Sequence, residues 1–235
     1  MCNRLLLVAA IVVGMALPSR AVDIPIANAG FEQVVLPCAP GPNCVARDVF
    51  GWTGTGQVAT FKPTVGSGAI FPGGIPDGVN TGGVGNEFGI GTLVQTLAAT
   101  LQANTTYTLI YLVGSRSDYL FSGCTVELLA GSSVLATDSS LSPPPGTFLM
   151  GRIVYSSTAA DPTVLGQRLG IRLTSAGRGG GHFDKLSLDA TPTSFSSSTS
   201  QIASGGDWKT TLTLVNLSPT QNSLRINFRE TMAGR

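Results

Sequence analysis

The chain has 235 residues, of which 43% are hydrophobic and only 11% charged, with 14 Lys+Arg against 13 Asp+Glu. A charge balance so close to neutral leaves no electrostatic footprint for nucleic acid or an anionic lipid surface. The apolar share is enough to bury the core of one ordinary domain, which excludes a disordered chain.

The N-terminus reads as a secretory signal peptide over residues 1–21. Met1–Arg4 carries a positive charge, Leu5–Leu17 is apolar or small, Pro18 breaks the run, and Ser19-Arg20-Ala21 places small residues where a signal peptidase cuts, after Ala21. A run of 13 residues is short of the roughly 20 that span a bilayer. No second run of that length follows, so a secreted or periplasmic chain with no transmembrane segment is expected. Loss of Arg4 and Arg20 lowers Lys+Arg from 14 to 12, for a mature net charge of about −1.

Three cysteines remain in a compartment where disulfides persist. Cys38 and Cys44 bracket the turn-rich stretch Ala39-Pro40-Gly41-Pro42-Asn43, a loop short enough for one bridge to close. Cys124 stands in the strand pattern Cys124-Thr125-Val126-Glu127-Leu128-Leu129 and is expected as a small buried hydrophobe.

Thirty glycines and fourteen prolines divide the rest into short β-rich runs without helical period, so the fold class is all-β. The stretch Phe50–Gly91 reads as loop. Strands are expected at 93–97, 105–113, 125–130, 133–137 after a Gly-Ser turn, 148–156, 169–174 and 182–188. In the second of these both faces are apolar, which suits the middle of a layered sandwich. Such spacing predicts a jelly-roll β-sandwich over 22–190. The Ser/Thr-rich segment after Thr191 reads as a linker, and 207–216 with 223–228 as a β-hairpin too small to stand alone, a partial β-module over 191–235.

Catalytic groups are scarce. His182 is the sole histidine and follows three glycines, which suggests a solvated loop residue rather than part of a Ser/His/Asp triad. The glycines between 82 and 91 fit neither G-x-G-x-x-G nor a P-loop. Sugar recognition would need exposed aromatic faces, for which Trp52, Tyr119 and Phe121 are the candidates. Trp52 follows a turn glycine and equally suits the core. The expectation is therefore a non-catalytic binding module, not an enzyme.

Several phrases give this expectation a family. Asn28-Ala29-Gly30-Phe31-Glu32 with Gly51-Trp52, and His182-Phe183-Asp184-Lys185-Leu186-Ser187-Leu188, bracket a domain that resembles galactose-binding-domain-like jelly rolls. Pro76-Asp77-Gly78-Val79-Asn80 and Val94-Gln95-Thr96-Leu97 fall between them in matching order. The resemblance is to bacterial carbohydrate-binding modules and to secreted proteins with a PEP-CTERM tail, although no such tail motif follows here. It implies polysaccharide or extracellular matrix as ligand, with a structural or surface-assembly role in the cell envelope as the alternative. It also implies a structural calcium ion, because Glu32 and Asp184 stand where that family ties its first strand to its last.

Overall fold

The computed structural model describes residues 20–34, 36, 44–177 and 180–193. Most of the stretch expected as a signal peptide, Cys38, and the segments expected as a C-terminal hairpin lie outside the described residues. Strands in chain order are Val22–Ile24 (β1), Cys44–Ala46 (β2), Thr53–Gly56 (β3), Val58–Lys62 (β4), Thr81–Val84 (β5), Gly91–Thr100 (β6) and Thr105–Ser115 (β7). Cys124–Ala130 (β8), Ser133–Asp138 (β9), Thr147–Ser156 (β10), Arg168–Ser175 (β11) and Gly181–Pro192 (β12) complete them. The described residues contain no α-helix, and no helix there is long and apolar enough to cross a membrane.

The strands form two antiparallel sheets packed as a sandwich. One sheet runs β10-β7-β12-β5-β4-β2, with β1 also on β12, and the other runs β3-β6-β11-β8-β9. Every run expected as a strand between 93 and 188 lies inside one of these elements. The stretch Phe50–Gly91 is the correction: it holds β3, β4 and β5, and β5 is internal to the larger sheet. Its sequence Thr81-Gly82-Gly83-Val84 has turn-like chemistry, yet a Cβ on Gly82 would stand only 2.3 Å from the ring of Phe31. Glycine is required there by that close approach.

Alternation sorts β7 as expected. Tyr107, Leu109, Tyr111 and Val113 are buried between the sheets, while Ile110 and Leu112 are half-buried on the outer face. Leu93 and Leu97 of β6, Val126 and Leu128 of β8, and Leu169 and Ile171 of β11 face them from the second sheet. Each such side chain contributes about 1.5–3 kcal/mol on burial. Cys124 is buried and free, with its thiol pushed up to about 12 by burial.

A bulge in β12 decides what reaches the outer face. Between Asp184, opposite Leu112, and Ser187, opposite Ile110, the register shifts, and Lys185 takes φ +49°. Phe183 therefore points into the core with Leu186 and Leu188, whereas His182 and Asp184 face outward with Gly114 and Leu112. The freed amide of Leu186 donates to Ala29 O at 3.1 Å, fastening the chain just after β1.

Candidate functional site

On the outer face of the larger sheet, one row of paired residues crosses five strands: Ala59, Gly83, His182, Gly114 and Phe148. Three of the five have little or no side chain, so the row is a trough in which the His182 and Phe148 rings lie. The segment between β4 and β5 crosses above it and lowers Ile70 and Phe71 onto Phe61. Phe71 meets Phe148 at 4.6 Å between ring centroids, and His182 meets Phe61 at 5.0 Å and Phe71 at 5.7 Å.

Beside this aromatic cluster opens a cleft of about 390 Å³, walled by Pro72–Pro76 on one side and Pro145–Phe148 on the other. Phe148 belongs to both cleft and cluster. With proline, glycine and Ile75 making most of the rest, the cleft is predominantly apolar, as small-molecule sites are.

His182 is buried in β12, which corrects the solvated loop residue expected. Burial, and secondarily the charge of Arg116, pushes its imidazole down to about 3, so it is neutral at physiological pH. Thr81 Oγ1 points its hydroxyl at Phe61 O, 3.4 Å away, and therefore accepts from His182 Nδ1 at 3.0 Å. A neutral imidazole packed this way serves as a wall of the aromatic cluster.

Asp184 is fully buried on the same face, one pair further along. Its Oδ2 accepts the Asp77 amide at 2.8 Å and its Oδ1 the Lys185 amide at 2.7 Å. Burial first, then the charges of Asp77 and Glu32, push its carboxyl up to about 7. Glu32 reaches the same turn from the other side, with Oε1 accepting the amides of Val79 and Asn80 and Oε2 the Asn80 side-chain amide. The two carboxylates thus hold the 77–80 turn, which continues from the Pro76 side of the cleft.

Whether calcium fits these residues can be judged on charge. Glu32, Asp77 and Asp184 gather at one turn, neither ion pair among the described residues involves them, and Asn80 Oδ1 is a buried acceptor with no partner. Among the described residues no three His, Cys, Asp or Glu side chains form a cage. Two carboxylates with an amide and main-chain oxygens is a donor set that calcium accepts.

The three aromatics expected to form a binding platform are not brought together. Trp52 is in the core, stacked on Phe31 at 5.7 Å, with its Nε1 unpartnered. Phe121 packs half-buried against the same core. Tyr119 alone reaches the outer face, at its rim, where its ring lies on Arg116. Sequence reasoning missed Phe61, Phe71 and Phe148; the signal for them was Gly114 inside an otherwise apolar strand, which marks a close approach. Cys44, at the start of β2, is disulfide-bonded; the pairing with Cys38 falls outside the described residues.

The chain is an antiparallel jelly-roll sandwich whose outer face carries an aromatic cluster and, beside it, an open and mostly apolar cleft that shares Phe148 with the cluster. The family profile described as HpiC1-like, HpiC1 cyclase, matches residues 22–189, and the chain belongs to this family. An apo cyclase from Fischerella sp. is 32% identical, covering 74% of this chain and 98% of that one, with a TM-score of 0.63. A Stig cyclase from Fischerella sp. TAU, in complex with (3Z)-3-(1-methyl-2-pyrrolidinylidene)-3H-indole, is 31% identical over 74% of this chain and all of that one, with a TM-score of 0.64. A cyclase from the same source in complex with 4-(1H-indol-3-yl)butan-2-one matches at 31% identity, over 74% and 100% of the two chains, with a TM-score of 0.63. No match is found among curated proteins.

These findings correct the expectation of a non-catalytic carbohydrate-binding module: the family is one of cyclases, which are enzymes. Carbohydrate-binding modules also appear among similar structures, at 14% to 15% identity and TM-scores of 0.35 to 0.48, too distant to bear on fold detail or ligand. The physical reason lies in the aromatics expected as a platform: Trp52 and Phe121 pack in or against the core and Tyr119 lies on Arg116, so no flat exposed face is formed.

Proposed function

We propose that this chain is a cyclase that folds a flexible, apolar, indole-bearing substrate in the cleft between Pro72–Pro76 and Pro145–Phe148. The observation that carries the reading is the double membership of Phe148, which joins the cleft to the cluster of Phe61, Phe71 and His182. Apolar walls restrict the substrate to few conformers. Aromatic faces attract the positive charge that develops as such a chain closes on itself. Indole ligands in the Fischerella complexes support the substrate class.

Calcium is part of this proposal as a structural group, held by Glu32 and Asp184 with the Asn80 side chain. Bound there it would supply the missing counter-charge and fix the 77–80 turn. The residues' own task is to position the Pro76 wall.

Calorimetric titration with 4-(1H-indol-3-yl)butan-2-one tests the reading. Saturable binding that Phe148→Ala weakens at least tenfold supports it; no binding by the wild type, or equal binding by the variant, overturns it.

A further inference from the structure

Arg116, immediately after β7, is held on three sides. Its guanidinium lies 5.1 Å from the ring centroid of Phe61 and 5.1 Å from that of Tyr119, and it forks onto Asp118 at 2.8 and 2.7 Å. An exposed ion pair alone contributes little, but a planar cation between two rings with a bidentate carboxylate is a defined geometry that lysine cannot copy. Tyr119 in turn donates its hydroxyl to the Glu87 carboxylate and accepts the Glu87 amide at 3.0 Å.

The same short segment touches both walls of the cleft. Ser117 donates its amide to Ile70 O and its hydroxyl to Ala69 O, each at 3.1 Å, just before the Pro72 wall. Ser115 O accepts the amide of Gly146, in the opposite wall, at 2.7 Å. The 145–148 wall is fixed by the pairing of Thr147 and Phe148 with β7, whereas a Cβ on Gly73 or Gly74 in the other wall would meet nothing within 4 Å.

We propose that Arg116 is a positioning residue of the cyclase site: clamped between Phe61 and Tyr119 and forked to Asp118, it sets the gap between the 72–76 and 145–148 walls and so selects substrates by size. This rests on the function proposed above. Tyr119 is then a part of the clasp and not a ligand platform.

The test compares wild type with Arg116→Met, Arg116→Lys, Asp118→Asn and Tyr119→Phe. Binding of 4-(1H-indol-3-yl)butan-2-one and of a bulkier 3-substituted indole is measured beside amide exchange. Loss of the clasp is expected to shift the ratio of the two dissociation constants by roughly three- to tenfold. Amide exchange is expected to speed up at Gly74 and Gly146 but not in β8. Arg116→Lys should recover only part of the ratio. A purely structural role would lower the melting temperature and weaken both ligands alike. If Arg116→Met does not fold, Asp118→Asn, which loosens the bidentate fork that holds the guanidinium, carries the same comparison. An unchanged ratio together with unchanged exchange overturns the clasp. Wild-type protein that takes up neither indole overturns the proposed function instead, and exchange at the two walls then decides the clasp by itself.

Discussion

The ring of Phe148 occupies the space in which a side chain on Gly114 would stand: a Cβ there would lie 2.5 Å from Phe148 Cε1. The two are paired across β7 and β10, so the ring lies over the strand toward His182. Gly114→Ala is expected to lift Phe148 off the trough. Overpacking of this kind costs about 1–3 kcal/mol, a fall of several degrees in melting temperature for a chain of this size. Indole binding should fall with it; a melt and a titration indistinguishable from wild type would show that the ring has room elsewhere.

Calcium binding to Glu32 and Asp184 would stabilise the native state by mass action, by roughly 2.7 kcal/mol at a hundredfold excess over the dissociation constant. The melting temperature is expected to be several degrees higher with calcium than with chelator at matched ionic strength, and Asp184→Asn to remove most of the difference. Equal melting temperatures would leave the two carboxylates as caps of the 77–80 turn alone.

Thiol chemistry should distinguish the cysteines. With its thiol pushed up to about 12 by burial, Cys124 holds almost no thiolate at pH 8 and is expected to resist alkylation until the protein is denatured. Cys38 and Cys44 are expected to label only after reduction. Mass spectrometry of folded, denatured and denatured-reduced samples checks both statements, and fast labelling of Cys124 in the folded protein would contradict the first.

Export and processing can be read in one further experiment. The mature chain is expected to begin at Val22 when expressed in a bacterium, as N-terminal sequencing would show. Limited proteolysis is expected to cut first in the Ser/Thr-rich segment after Thr191 and to leave 22–190 intact. A first cut inside β6 or β11 would refute the proposed boundary.

Long strands rich in β-branched and aromatic residues, such as β7 and β10, were legible because alternation alone sorts their faces. The short strand β5 was not, since its two glycines answer to Phe31 and to sheet packing, which a local pattern does not contain. Alternation also fails across β12, where the bulge at Lys185 moves Leu186 and Leu188 into the core behind outward-facing Asp184. Glu32 and Asp184 were singled out by the family resemblance, and the structure brings both to the 77–80 turn. The aromatic cluster was not legible: Phe61, Phe71 and Phe148 meet through pairing of β4, β5, β12, β7 and β10, a relation fixed by register over long sequence separations. Trp52 shows the reverse case, an aromatic whose type suited a surface and whose place is the interior.

Trp52 also gives the protein an optical signal of its own. It is one of two tryptophans, the other being Trp208, outside the described residues. Its indole is out of water and stacked on Phe31, the ring that rests on Gly82 of β5. In a Trp208→Phe chain, the colour of the emitted light would therefore follow a single event: water reaching the seam where the first residues of the domain meet the centre of the larger sheet.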